Sequence, residues 1–423
     1  MAMMKSSNTE WLGDIPAEWD VAQIGNYYEL RNEKVSDYDF EPLSVTMKGI
    51  VPQLATAARS DDHSNRKLVK KGDFVINSRS DRRGSCGISP LDGSVSLINI
   101  VMEPRGKMNP QYYNWLFHTE QFADEFYKWG HGIVDDLWTT RWQEMKKILI
   151  VAPLPDEQQA IADYLDETCS KIDEIIAEAK ASIDEYKELK QSVIFEAVTK
   201  GLDKNVEMKD SGIEWIGKTP VDWNIAKINR VAWTTSGATP LRSKETEYYD
   251  NAVIRWVRTL DLNNGHVTDS SEKITETALK NSSCSIMPVK TVCVAMYGGA
   301  GTIGKSGILE VECATNQAIC SIVSDKKVLN PDYLHYVIMA VRKYWMKYAV
   351  GTRKDPNINQ QIIAQMRIPI PQLSKQDIIV NHLDKVTDKC DSLIAEKQSL
   401  IADLEAYKRS LIYEVVTGKR RVV

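Results

Sequence analysis

The chain has 423 residues, 43% hydrophobic and 26% charged, a length that implies two or three domains and a composition ordinary for a globular protein. No apolar run reaches the ~18 residues of a membrane-spanning helix, and the opening MAMMKSSNTEWLGDIP lacks the apolar core of a secretory signal, so a cytoplasmic protein without membrane segments is expected. Seven scattered cysteines with no C-x-x-C pair exclude a disulfide framework and a tetrahedral zinc site, and the net charge of −5 does not by itself point to nucleic acid.

In chain order, the first landmark is Glu10-Trp11-Leu12-Gly13-Asp14-Ile15-Pro16-Ala17-Glu18-Trp19. It returns at an offset of 204 as Glu214-Trp215-Ile216-Gly217-Lys218-Thr219-Pro220-Val221-Asp222-Trp223. The shared frame, E-W-x-G-x-x-P-x-[ED]-W, marks an internal repeat. Between the landmarks, residues 20–152 carry β-branched and aromatic runs broken by Gly, Asn, Asp and Ser. Those at 71–77 and 95–101 read as strands, and 110–126 reads as a helix opened by Asn109-Pro110.

Residues 153–200 follow and align without a gap to 371–418, at an offset of 218. Gln158 meets Gln376, Leu165-Asp166 meets Leu383-Asp384, and Lys190, Ser192, Ile194 and Glu196 meet Lys408, Ser410, Ile412 and Glu414. No Gly or Pro interrupts 156–199 or 374–417, so each predicts a helix roughly 65 Å long. Leu165, Thr168, Ile172, Ile175, Ala179, Ser182, Tyr186, Leu189 and Val193 predict the coiled-coil seam of the first helix. Its counterpart is Leu383, Val386, Cys390, Leu393, Lys397, Leu400, Leu404, Tyr407 and Leu411, with Ile176, Ile183, Ile194, Ile394, Ile401 and Ile412 as a flank. A seam that includes Thr, Ser and Lys favours pairing of the two helices with each other. The growth of the offset makes the second middle segment 14 residues longer than the first. Within it, 253–257, 291–297 and 318–323 read as strands, and 331–348 reads as a helix opened by Asn330-Pro331.

Charge is unevenly spread. The first long helix, 156–200, has 12 Asp/Glu against 5 Lys/Arg, whereas 224–365 has 17 Lys/Arg against 12 Asp/Glu. The run 66–83 holds Arg66, Lys67, Lys70, Lys71, Arg79, Arg82 and Arg83 against Asp73 and Asp81. Basic patches of this kind attract phosphate whatever the base sequence, and the interleaved Asn77, Ser78 and Ser80 are side chains able to read base edges. Gly299-Ala300-Gly301-Thr302-Ile303-Gly304-Lys305-Ser306 fits both a dinucleotide fingerprint and a P-loop. Either needs a following helix, and the residues after Ser306 read as strand. Asn109-Pro110-Gln111-Tyr112 and Asn330-Pro331-Asp332-Tyr333 are similar to the N-P-P-Y motif of adenine methyltransferases. Each lacks the second proline and reads as a helix-opening turn.

With two tryptophan landmarks, two middle segments and the repeated Ala152-Pro153-Leu154-Pro155-Asp156-Glu157-Gln158-Gln159-Ala160-Ile161, the chain resembles the specificity subunits of type I restriction–modification systems over nearly its whole length. The second copy departs at Leu373 and Lys375. The resemblance implies an α+β protein in which two β-rich mixed globular domains stand in pseudo-twofold arrangement, separated by two long antiparallel coiled-coil helices. It places a first target-recognition domain at 1–155, a spacer helix at 156–202, a second target-recognition domain at 203–372, and a spacer with a basic tail at 373–423. It implies partners in double-stranded DNA, methyltransferase subunits numbering two, and restriction/translocase subunits. It implies no catalysis and no cofactor here, S-adenosylmethionine and ATP belonging to the partner subunits. Candidate DNA contacts are Lys48, Asn77, Arg79, Arg82 and Arg83 in the first domain, and Arg242, Arg255, Arg258, Lys305 and Arg353 in the second. Arginine bidentate on guanine is the commonest specific contact, and arginines in such places also anchor phosphates. Two other readings stay open: a self-contained DNA adenine methyltransferase, and a coiled-coil scaffold that binds no DNA.

Overall fold

A computed structural model describes residues 3–55, 63–132, 138–298, 301–351 and 356–422. The chain divides into two compact units, Met1–Lys180 with Gln398–Val423, and Ala181–Lys397. Each unit therefore holds the start of one long helix and the end of the other.

In the first unit, strands Cys86–Ile88, Phe74–Asn77, Asn99–Pro104 and Tyr28–Leu30 form, in that order, an antiparallel sheet. A second sheet orders Gly93–Ser96, Arg66–Val69 and Lys34–Val35, and Leu43–Thr46 with Gly49–Pro52 makes a hairpin. The second unit repeats the principal sheet as Ser306–Leu309, Val292–Ala295, Ile319–Ser324 and Ala232–Ser236. It adds Gly265–Val267 in parallel outside Ser306–Leu309, and a further sheet of Lys273–Ile274, Ile254–Val257, Cys313–Thr315 and Ile286–Met287.

The tryptophan landmarks are core devices. Trp11, Trp19, Trp215 and Trp223 are all buried, and Gly13 and Gly217 turn the chain at φ +62° and +66°, a conformation that favours glycine. The 95–101 run is not one strand: the chain turns at Leu97-Ile98, so that Gly93–Ser96 and Asn99–Pro104 enter different sheets. The expected 110–126 helix is likewise two, Pro110–Phe117 and Glu120–Lys128, because the Thr119 hydroxyl accepts from the Phe122 N–H and starts a second helix.

The long helices run over Pro155–Lys200 and Leu373–Val416. Their seam differs from the expected one in phase. The buried line of the first is Leu165, Cys169, Ile172, Ile176, Ala179 and Ile183, while Ile175 is 45% and Leu189 49% exposed. In the second, Leu383, Thr387 and Cys390 are buried and Ile394, Lys397, Ile401 and Leu404 half-buried, with Leu400 and Tyr407 outside. Half the seam positions lie one residue later than the hydrophobic pattern suggests, and the residues taken for a flank are the seam. Lys190 and Lys408 extend it because their stems lie along the groove while their ammonium groups reach Asp391 and Asp173, both at 2.6 Å. These ion pairs, one in each unit, are equivalent under the 218-residue offset and run the helices antiparallel.

The two Asn-Pro-x-Tyr segments join helix ends. Asn109 and Asn330 cap the helices they open, their side chains accepting from backbone N–H groups. The buried Gln158 and Gln376 accept from the N–H of Asn109 and Asn330, each at 2.8 Å, and donate to the carbonyls of Pro153 and Pro371. The Tyr112 hydroxyl donates to the carbonyl of Val416, and that of Tyr333 to Val198. Each tyrosine holds the end of one long helix while its neighbouring asparagine holds the start of the other.

Candidate nucleic-acid interface

The principal sheets of the two units share one register. Asn77 pairs with Asn99, Cys86 with Ile76 and Gly87 with Val75 in the first. In the second, Ala295 pairs with Ile319, Ser306 with Val294 and Gly307 with Cys293. The Asn77 N–H donates to Ser85 O at 2.9 Å, and the Ala295 N–H donates to Lys305 O at 2.8 Å. The loops 78–85 and 296–305 therefore occupy one place in the frame. The first carries Arg79, Arg82 and Arg83, and the second ends on Lys305. This gathers four of the predicted contacts at equivalent loops.

Arg79 precedes a 3-10 turn at Ser80–Arg82, and its N–H donates to Asn77 Oδ1. Arg82 stands exposed beside Asp81, 3.6 Å away, and Arg83 is paired with Asp124. Lys48 lies exposed at the tip of the Leu43–Thr46/Gly49–Pro52 hairpin. Hairpin and loop border one open cleft of about 510 Å³, lined among others by Met47, Arg66, Asn77, Arg82, Arg83 and Asn99. Arg66 is almost wholly buried. It donates from Nε to Ser94 Oγ at 2.8 Å and from Nη2 to Ser94 O at 3.0 Å, and burial lowers its pKa.

The remaining contacts of the second unit form another group. Glu272 accepts from Arg242 at 2.5 Å and pairs with Arg258 at 2.8 Å, and the hydrogen bond from Arg242 holds its carboxyl below the ordinary range. The Arg242 guanidinium lies 4.2 Å from the Tyr249 ring centroid and 5.8 Å from that of Trp256, and Arg258 lies 6.0 Å from Trp256. Cation–π contact and one carboxylate thus fix both forks. Arg255, on Ile254–Val257, pairs with Asp269 at 3.0 Å and stands opposite Lys273. Arg353 lies outside the described residues. Sequence reasoning missed Glu272, Tyr249 and Trp256, which position the arginines, and Asn99, because no sequence signal tells which residues a sheet register places side by side.

After Gly304-Lys305 comes the strand Ser306–Leu309, as the sequence suggests, and not the helix that a phosphate-binding glycine loop needs. Among the described residues no group of His, Cys, Asp and Glu is placed to hold a metal ion, and no helix is long and apolar enough to cross a membrane. All seven cysteines are free and buried, and burial pushes the Cys86, Cys313 and Cys320 thiols up to about 12.

Comparison with known proteins agrees with this architecture. The family described as "Type I restriction modification DNA specificity domain" matches residues 220–402. The MjaVIII type I restriction enzyme specificity subunit of Methanocaldococcus jannaschii is 23% identical, with 96% of this chain and 94% of that subunit covered. Over nearly its whole length the chain is thus similar to a type I specificity subunit. The StySPI specificity subunit of Salmonella potsdam is also 23% identical, over 48% of this chain and 44% of that subunit. Among solved structures, a chain from a study of assembly and conformational transition in a type I R-M system superposes with TM-score 0.75 and 14% identity, covering 96% of this chain and 99% of that one. The HsdS subunit of Thermoanaerobacter tengcongensis superposes with TM-score 0.54 and 15% identity, covering 96% and 98%. At these identities the superpositions establish the fold alone: α+β, with long paired helices and β-rich domains.

Proposed function

We propose that this chain is the non-catalytic, sequence-reading subunit of a type I restriction–modification complex on double-stranded DNA. Residues 1–155 and 203–372 act as two target-recognition domains, each reading one half of a bipartite site. The spacers at 156–202 and 373–423 set the unread gap and dock methyltransferase subunits, two per chain, with a restriction/translocase subunit completing the assembly. S-adenosylmethionine and ATP are used by those partners. One observation carries the reading: a single sheet frame is used twice, and its equivalent loops carry different cations, Arg79, Arg82 and Arg83 in one and Lys305 in the other. Two readers built alike but armed differently suit an asymmetric two-part site. Arg79, Arg82, Arg83 and Lys48 serve the first half, and Arg242, Arg255, Arg258 and Lys305 the second, with guanine edges and phosphates as their targets.

The test is selection from random duplex DNA by this chain co-expressed with its methyltransferase subunits. Two short motifs at a fixed separation are expected. A single contiguous motif defeats the twin-reader reading, and an intact complex with no enrichment favours a scaffold.

A further inference from the structure

The shared register singles out one pair of residues. In the second unit the sheet positions beside the loop are Ala295 and Ile319, both fully buried and apolar. The same positions in the first unit are Asn77 and Asn99, 7% and 5% exposed. The frame does not require polarity there, and burying an amide is unfavourable unless its hydrogen bonds are met. Asn99 is half met: its Nδ2 donates to Ser96 O at 3.1 Å, while Oδ1, itself buried at the cleft wall, has no hydrogen-bond partner. Both asparagines line the open cleft, with Met47 on its wall and Arg82 and Arg83 among the residues around it. An unused acceptor, an apolar wall and nearby cations are the recognition elements of a nucleotide.

Resting on the DNA-reading function above, we infer that Asn99 is a specificity-determining residue of the first unit, its Oδ1 accepting a hydrogen bond from the exocyclic amino group of an adenine or cytosine brought into this cleft. Adenine N6 and cytosine N4 are the donors that the major-groove edges offer, whereas guanine and thymine offer acceptors there. Arg82 and Arg83 hold the adjoining phosphates, and Arg66 stiffens the cleft through Ser94. The second unit, with Ile319 in this place, reads its half-site by other means.

The experiment uses the assembled complex. The bipartite motif is first selected with the native chain, then with Asn99→Leu, which removes the acceptor at similar volume, and with Asn99→Asp, which keeps one. The Leu variant should lose roughly ten- to a hundredfold of its preference at one adenine or cytosine of one half-site, leaving the other half-site unchanged, and the Asp variant should keep that preference. In parallel, native complex is titrated with duplexes in which each adenine or cytosine of the motif is replaced by its analogue lacking the amino group. One such position should weaken binding about tenfold or more. This arm decides the matter if Asn99→Leu does not assemble. A bipartite motif indifferent to Asn99→Leu, or to every analogue, overturns the assignment and leaves the twin-reader function standing. Absence of any motif with native complex overturns both.

Discussion

Glu272 shows how one side chain conditions a basic patch. Its carboxylate ties Arg242 to Arg258, so part of their charge is already answered before any DNA arrives. Glu272→Gln should free both guanidinium groups. Affinity for non-cognate duplex is expected to rise several-fold, and the dependence of log K on log salt to steepen by about 1. Fluorescence anisotropy of the complex across a salt series measures this, and an unchanged slope would show that the arginines do not meet phosphates. A second residue, His335, is wholly buried. Desolvation, with repulsion from His266, Lys190 and Lys290, brings its pKa from 6.5 down to about 3. It is neutral in the native state, while the unfolded chain takes up a proton below pH 6.5. Stability is therefore full above that pH and is lost as pH falls towards 3. Between pH 7 and 5 this amounts to about 2 kcal/mol. Melting temperature should fall over that interval, and His335→Phe should flatten the slope. Below pH 5 the carboxylates held down by Arg and Lys partners, such as Glu272 and Asp222, add a loss of their own.

At the level of elements, what was legible followed from periodicity and breakers. Helix limits came within one residue because Pro155 and Gly201 bound the first and Pro371 and Gly418 the second. Strands at 74–77, 292–295 and 319–324 stood out as β-branched runs. The seam phase did not, because Ile175 and Ile176 are equally apolar and only the partner helix chooses between them. The site was legible as far as charge goes: the basic run in 66–83 located one loop, but the pairing of that loop with 296–305, and of Asn99 with Asn77, depends on cross-strand register. The seam assignment is testable. Ile176→Ala should cost about 2–4 kcal/mol, whereas Ile175→Ala should stay within about 0.5 kcal/mol. Chemical denaturation of the complex distinguishes them, and equal losses would restore the expected phase. Tyr112→Phe removes the buried hydrogen bond to Val416 O, and Tyr333→Phe the hydroxyl that Val198 O and Pro369 O share at 3.2 Å, for about 1 kcal/mol apiece.

At the scale of the whole molecule, both long helices contribute to both units, the divisions falling after Lys180 and after Lys397. These are the places to lengthen the helices without disturbing either core. A heptad added at each keeps the seam in phase and extends the helices by about 10 Å, which is roughly 3 base pairs of duplex. If the helices set the gap, the selected motif should keep both half-sites and gain roughly 3 unread base pairs. Affinity should fall at the same time, because those base pairs also carry the second half-site about a quarter-turn or more around the duplex, and a heptad adds little rotation to match. Twisting of the intervening DNA must absorb the difference. A motif whose gap stays as before would separate recognition from helix length and leave the helices a purely structural role.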